Sequence, residues 1–464
     1  MVLAKNKLLI ILVMTTLVLV NSNISLAAEL TFKEAIELGL KNNLAITKAE
    51  SNVRQLQRDL KRIKAGANWQ VDLEGANGKN IFQVSKGGGN SLKFSLAGTK
   101  SYWSGLTLTP QFNFKDQDLS QGELLDNNLN FSLSATQSIY PQLPVKSKQN
   151  YLKTKLKLQT ARKKLADIKN DKLITWANNY LSLKRQKKRY KLAQVKSKLA
   201  QRKLAHSLAH QKINEVGKIA VLSAKANLKD AQYNLKKIEN KYQQAQQNLF
   251  NQLGLSLNND LVLTNNSHYM KKLKKIADSF LPKLDDKSKL IALAKNNNLK
   301  LLQNKINQQS LKYDLRWQKL KNKPTVNLNG YYDSNNWNLG IAISYNLFNG
   351  GKKELKTKNL TKKLNFFNQK YQSLIKDLKL KVDGLINEIK ANKINLAAQK
   401  LRLKKARLNN QIAKKQFEEG LFAQVAWQEK KIALNEVRIN WQAAKDKLLI
   451  SKLELIDYIG RELK

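Results

Sequence analysis

Few residues in the chain have the chemistry to act on a substrate or hold a metal. There are three histidines and no cysteine. His206 and His210 stand four apart, which places two imidazoles on one face of a helix, the spacing of a paired metal ligand. No HExxH acid or third ligand accompanies them, and two imidazoles leave a zinc site incomplete. They read as exposed helix residues, and His268 is isolated. Gly87-Gly88-Gly89 lacks the Lys-Ser/Thr that completes a phosphate loop, and neither a nucleophile elbow nor a carboxylate pair is present. Without cysteine there is no thiolate metal or redox site and no disulfide framework. The expectation is a non-enzyme without cofactor or bound metal.

The elements that would position any functional residue must therefore carry the function themselves. In 464 residues, 42% of them hydrophobic, there is apolar material for two to four ordinary domains. The formal charge is +50, which first suggests nucleic acid, since basic side chains neutralise phosphates on any fold. Of the 84 basic residues, however, 72 are Lys and 12 are Arg. Arg is the residue suited to bidentate phosphate and base contacts, so the Lys excess argues against specific nucleic-acid binding. Lys5 and Lys7 precede an apolar run from Leu8 to Val20, and Leu26-Ala27-Ala28 follows. This reads as a signal peptide over residues 1–28: the run is too short to span a bilayer and ends on small residues suited to cleavage. With no Cys there is no lipid attachment site, and no later apolar run is long enough for a transmembrane helix.

One unit occurs twice. Ala35-Ile36-Glu37-Leu38-Gly39-Leu40-Lys41-Asn42-Asn43-Leu44 matches Leu290-Ile291-Ala292-Leu293-Ala294-Lys295-Asn296-Asn297-Asn298-Leu299, each a short amphipathic helix with an Asn-rich break. Leu228, Ala231, Leu235, Ile238, Tyr242, Ala245 and Leu249 keep a 3-4 spacing. It recurs 206 residues later at Leu434, Val437, Trp441, Ala444, Leu448, Ser451 and Leu455, with Gly254 mapping onto Gly460. A heptad seam in register in both copies indicates duplication. Lys146 to His210 and Lys352 to Phe417 contain no proline and one glycine, Gly384. Each predicts a helix of about 100 Å, a length that packs as coiled coil.

Before each long helix lie alternating stretches. Val326 and Leu328 alternate with Asn327 and Asn329, and Leu339, Ile341, Ile343, Tyr345 and Leu347 share one face. Leu129, Phe131, Leu133 and Ala135 do so in the first copy. Two short amphipathic strands per copy form no stable soluble sheet with an apolar face outward. In an outer membrane that face meets lipid, and the barrel must close. Four strands are too few for closure by one chain, so oligomerisation is implied. A soluble β-sandwich carried on a coiled-coil stalk is the alternative. The charge avoids the strands: Lys146 to Ser256 carries 27 basic and 5 acidic residues, Gly351 to Lys464 carries 27 and 12, and Ala67 to Val145 carries 5 and 6.

The signal peptide, the opening Leu30-Thr31-Phe32-Lys33-Glu34-Ala35-Ile36 with Asn42-Asn43, the strand end Tyr345-Asn346-Leu347-Phe348-Asn349-Gly350-Gly351 and the duplicated helix-Gly-helix units resemble the TolC-like outer membrane efflux proteins. The resemblance covers essentially the whole mature chain. It implies a mainly α fold with a membrane β-barrel portion. In that fold a homotrimer closes a twelve-stranded outer-membrane barrel, four strands per chain, continuous with a periplasmic helical coiled-coil barrel. It further implies a passive duct in outer-membrane lipid, recruited by a periplasmic adaptor and an inner-membrane pump or ABC exporter for efflux or type I secretion, with no nucleic acid bound. The alternative function is an exported stalk without a pore that grips anionic cell-envelope polymers.

Mapped on this family, residues 29–254 are the first repeat, with strands within about 69–140 and a helical hairpin over 146–254. Residues 255–285 are a linker, and 286–464 the second repeat, with strands near 325–348 and a hairpin over 352–460. Val216, Gly217 and Lys218, with Gly420, Leu421 and Phe422, fall at the periplasmic turns that dock the adaptor, where glycine suits a reversal needing positive φ. Ser223, Ala426 and Glu429 fall where family members narrow the pore with carboxylates. Only Glu429 keeps an acid, and it equally reads as a surface residue paired with Lys. The first copy departs from the second over residues 79–127, where an insert is either an enlarged loop or an extra hairpin. The first strand is then Trp69 to Asn77 or Tyr102 to Phe114.

Overall fold

The structure, a computed structural model, describes residues 29–75, 82–85, 88–116, 129–254, 262–263, 268–279, 286–461 and 463. The leader reading at residues 1–28 lies outside them. The chain runs β1 (Glu29–Leu30), α1 (Phe32–Asn42), α2 (Leu44–Ala65), β2 (Gln70–Gly75), β3 (Phe82–Ser85), β4 (Gly88–Ser101), β5 (Leu106–Asp116) and β6 (Leu129–Tyr140). Next come α3 (Lys146–Lys212), α4 (Lys218–Leu253), β7 (Val262–Leu263) and α5 (His268–Ser279). The second copy follows as α6 (Lys287–Asn297), α7 (Leu299–Lys321), β8 (Thr325–Asp333), β9 (Trp337–Ser344), α8 (Lys352–Glu418) and α9 (Gln424–Tyr458).

Each copy opens on a helix pair broken at asparagine, and the break is a cap. The Asn43 side-chain oxygen accepts from the amides of Ala45 and Ile46 to start α2. Asn298 does the same for Lys300 and Leu301 at the start of α7. Asparagine satisfies amides that the first turn leaves unpaired, so the chain restarts as helix in a new direction. Upstream, Thr31 and Glu34 form a reciprocal capping box on α1.

The helices α3 and α8 have 67 residues each, about 100 Å of continuous helix. The repeated seam lies inward in both copies: Leu249 is buried on α4, and Leu434, Ala444, Leu448, Ser451 and Leu455 are buried on α9. The α9 helix buries more because it packs against both α8 and α3, joining the two repeats.

One apolar collar encircles the middle of the long helices. It joins Phe32, Trp176, Tyr180, Leu249 and Leu253 from the first repeat to Leu290, Leu385, Ile389, Leu453 and Leu455 from the second. The Phe32 and Tyr180 rings lie 4.8 Å apart. Each hairpin's last helix ends at the collar on a left-handed glycine pressed against the first helix of its own repeat. A Cβ on Gly254 would lie 2.8 Å from Asn42, and one on Gly460 would lie 2.2 Å from Asn297. Outside the collar the helices remain largely unburied. The chain exposes 31208 Å², against about 18,000 Å² for a compact monomer of its mass.

The strands form one antiparallel sheet in the order β2-β4-β5-β6-β8-β9, with β3 also on β4. In the second repeat β8 and β9 are the two expected strands. The first repeat has more. Both of its candidate segments carry a strand, β2 and β5, and the insert is a hairpin, so four strands per chain is corrected to six in a row. The strands β2 and β3 lie end to end on one edge of β4, opposite residues 94–99 and 88–92. The sequence offers 69–77 and the alternating stretch within 102–114 as candidate strands, but marks neither β3 nor β4. The linker strand β7 pairs parallel with β1 at the head of the first repeat, and Lys452 on α9 donates to Asp278 on the linker helix α5 at 2.8 Å.

Asp457, near the end of α9, sits in the collar with Asp167 and Asp171 nearby. Burial first, then those carboxylates, raise its pKa to about 6, while a hydrogen bond from Asn170 opposes the rise. The folded state therefore holds a proton there that the unfolded chain has released. Stability from this site is full below pH about 4 and falls as pH rises through about 6, by on the order of 2–3 kcal/mol. The Asp457→Asn variant should melt higher than wild type at neutral pH and lose this slope in a thermal melt against pH.

Candidate functional site

The sheet sorts its side chains by chemistry across its whole width. Register places Val71 opposite Gly98 and Leu73 opposite Leu96. It continues with Leu96 opposite Phe112 and Phe94 opposite Phe114, Phe112 opposite Phe131 and Pro110 opposite Leu133, and Leu133 opposite Tyr332 and Ala135 opposite Gly330. The row ends with Leu328 opposite Ile341 and Val326 opposite Ile343. Residues directly opposite share a face, so one face is largely apolar from β2 to β9, with Lys100 and Gln137 standing on it near the helical end. The other carries Ser95, Gln111, Asn113, Ser132, Ser134, Asn327, Asn329 and Asn338. On β9 the apolar face is open, with Leu339, Ile341 and Ile343 64%, 67% and 73% exposed, while Phe114 at its outer end on β5 is buried. Among the described residues neither β2 nor β9 pairs on its outer edge.

Aromatic rings border this face at both ends. At the end away from the helices, Phe94 meets Phe114 at 4.8 Å, Phe112 meets Phe131 at 4.9 Å, and Phe131 meets Tyr332 at 6.3 Å. At the helical end four rings carry a lysine. Lys100 lies over Trp69 and Tyr102, Lys323 over Tyr140, and Lys353 over Tyr345, with ammonium-to-centroid distances of 4.7–5.6 Å. Amphipathic rings and lysines with apolar stems suit a boundary between hydrocarbon and water.

The hairpin tips lie at the far end of the helices. Val216, Gly217 and Lys218 form the turn into α4, and Gly420, Leu421 and Phe422 the turn before α9. The two turns are built differently. Gly420 has φ +76 as expected, but Gly217 is extended at φ −78, and Asn214 takes the left-handed position at φ 58. Asparagine tolerates that region, which freed Gly217 to stand as the residue before α4. Leu421 is 75% exposed. Below it, Phe417 stacks on Trp427 at 5.2 Å.

Just inside the tips, α3, α4 and α9 enclose a groove of about 840 Å³ lined by Lys203, His206, Ser223, Glu429 and Glu436. Ser223 and Glu429 thus face one space, and Ala426 does not line it. Glu429 is paired with Lys203, one rung of a ladder between α3 and α9 that continues with Lys196–Glu436 and Arg185–Asp446. The first two rungs are half exposed and worth at most about 1 kcal/mol each. Asp446 is buried and also accepts from Gln442 at 2.7 Å, so this rung anchors the seam. The ladder went unseen in the sequence because its partners lie more than 200 residues apart. His206 and His210 approach Nε2 to Nε2 at 3.0 Å, and Glu215 meets His210 Nδ1. Among the described residues no group of three or more His, Cys, Asp or Glu is arranged to hold a metal ion. No helix there is long and apolar enough to cross a membrane.

Residues 290–461 match the family described as outer membrane efflux protein. The fold is that of solved outer-membrane channels. Over 93% of this chain it is similar to the outer membrane protein VceC of Vibrio cholerae, covering 97% of that chain at 12% identity and a TM-score of 0.61. It is similar to the CmeC outer membrane channel of Campylobacter jejuni over 92% of this chain and 85% of that one, at 11% identity and 0.61. For the open state of the MtrE outer membrane channel of Neisseria gonorrhoeae the shares are 93% and 89%, at 12% identity and 0.57. No curated protein sequence matches the chain.

The unequal tips give unequal responses to alanine. A Cβ at Gly420 is strained by its left-handed backbone, so Gly420→Ala should cost about 1–2 kcal/mol. Gly217 is extended with nothing within 4 Å of an added Cβ, so Gly217→Ala should melt like wild type. Paired thermal melts of the two variants check this.

Proposed function

We propose that this chain, with its outer membrane efflux protein domain, is the outer-membrane exit duct of a tripartite efflux or type I secretion system. The observation that carries the reading is the one-sided sheet whose two edges, among the described residues, are unpaired. A face of exposed Leu and Ile beside a face of Asn, Ser and Thr fits a wall between lipid and water. In lipid the free edges must be paired, and copies of the same chain supply the partners. The aromatic rows fit the two interfaces of such a wall.

The helices support the same assembly. On α8, Leu380, Ile394, Leu401 and Leu408 are 70%, 72%, 70% and 50% exposed, at spacings of fourteen, seven and seven residues. A heptad stripe left this exposed is a coiled-coil seam that a neighbour can cover. The homotrimer implied by the family resemblance places another copy there. The tips, Val216 to Lys218 and Gly420 to Phe422, would then meet the periplasmic adaptor, and an inner-membrane pump or ABC exporter supplies the energy. Ser223 and Glu429, in the groove inside the tips, stand nearest the constriction. With Glu429 neutralised by Lys203 and the excess lysine on the helices, the lumen is electropositive and favours anions.

Extraction and conductance test the duct. The protein should leave the envelope only in detergent, run as an oligomer and form channels in planar bilayers. Release as a soluble monomer by salt would favour the stalk instead. Strong cation selectivity would overturn the electropositive lumen. Placing charges in the α8 seam by Ile394→Glu with Leu401→Glu should shift the extracted protein from oligomer to monomer on size exclusion while its helical circular dichroism persists.

A further inference from the structure

We propose that the inserted hairpin, β4 with β5, is barrel wall, so that each chain contributes six membrane-spanning strands where the family resemblance implies four. The inference rests on the duct reading above and specifies the wall it needs.

An insertion between two barrel strands has two places to go. As an enlarged outer loop it would stand above the rim, beyond the level of β8 and β9. Register excludes that position. The β5 strand lies alongside β6 from Leu106 opposite Gln137 to Phe114 opposite Leu129. In turn β6 lies alongside β8 from Ser132 opposite Asp333 to Tyr140 opposite Val326. The hairpin therefore sits beside the second-repeat strands at their own height. Its turn, Tyr102 to Gly105, lies at the helical end, level with Tyr140 and Tyr345. An outer-loop excursion would turn at the opposite end.

The hairpin also shares the chemistry of the wall. Its apolar residues Leu96, Pro110 and Phe112 continue the face formed by Leu133, Leu328 and Ile341. The ladders that join Leu96 and Phe112 to Leu133 and Tyr332 run in unbroken register, where a one-residue slip would have turned them to the polar side; the shift in the row lies nearer the helices, between Ser138 and Tyr140. Both borders run through it: Phe94, Phe112 and Phe114 belong to the outer aromatic row. Lys100, over Trp69 and Tyr102, belongs to the lysine-covered row at the helical end. With 14 residues in β4 and 11 in β5, each limb reaches the ~9–11 residues that a tilted spanning strand needs. The strands β2 and β3, end to end, form the sixth limb. Three copies would close eighteen strands, in the range that leaves an open aqueous channel.

The cysteine-free chain permits a direct test. Single variants Leu96→Cys and Phe112→Cys probe the hairpin's apolar face, and Gln111→Cys its polar face. Ile341→Cys and Ala342→Cys are the corresponding pair on β9. Each purified full-length assembly is labelled with an environment-sensitive fluorophore and reconstituted in vesicles of brominated or plain phosphatidylcholine. The probes at positions 96 and 112 should be quenched by brominated chains as strongly as the probe at 341, while those at 111 and 342 stay unquenched. Quenching at 341 without quenching at 96 and 112 would overturn the six-strand wall and leave the duct reading standing. Loss of quenching at 341 as well would overturn the membrane reading and the wall with it. A reconstruction of the detergent-extracted assembly reads the count independently: eighteen strands support the proposal and twelve overturn it.

Discussion

Everything else in the molecule depends on the collar. Helices of about 100 Å cannot be fixed by their own hydrogen bonds, because a paired hairpin buries only one narrow stripe of each. Only where α1 and α6 cross the hairpins is there a core thick enough to bury Phe32, Trp176 and Tyr180 fully. That core joins the ends of α4 and α9 to the middles of α3 and α8, so it sets the azimuth of both hairpins at once. The left-handed Gly254 and Gly460 allow each final helix to stop against the asparagine of its own first helix. The tips and the sheet project from this fixed ring in opposite directions, free to serve different surroundings.

Those surroundings explain the contrast in composition. Along the helices, lysine is tolerated wherever the face meets water, and salt screens its mutual repulsion. Along the strands, side chains alternate between an apolar and a polar face, so each position is held to one kind of residue. The sheet accordingly carries almost none of the net charge, and the lysines near it gather over the rings at its helical border.

Much of this was legible from residue spacing. Absence of proline predicted the long helices, which end within two residues of the expected positions. The seam repeated at 206 residues lies inward in both copies because a heptad needs only local sequence to declare itself. Pairings between distant segments were illegible. Nothing near Lys203 points to Glu429, and nothing near Tyr102 shows that it stands level with Tyr345. The tip at Gly217 shows a subtler limit. A glycine marks where a reversal is permitted, yet Asn214 took the left-handed residue and left Gly217 extended.

The inserted hairpin also bears on how the two layers of a ring would join. Strands about 4.8 Å apart and tilted near 40° each occupy about 6 Å of circumference, so six span about 38 Å of arc. The four long helices α3, α4, α8 and α9, at 8–10 Å spacing, span about 32–40 Å. Four strands would span only about 25 Å. With the hairpin in the wall, strand layer and helix layer would subtend the same arc in each chain, and a passage through the joint would keep a constant bore.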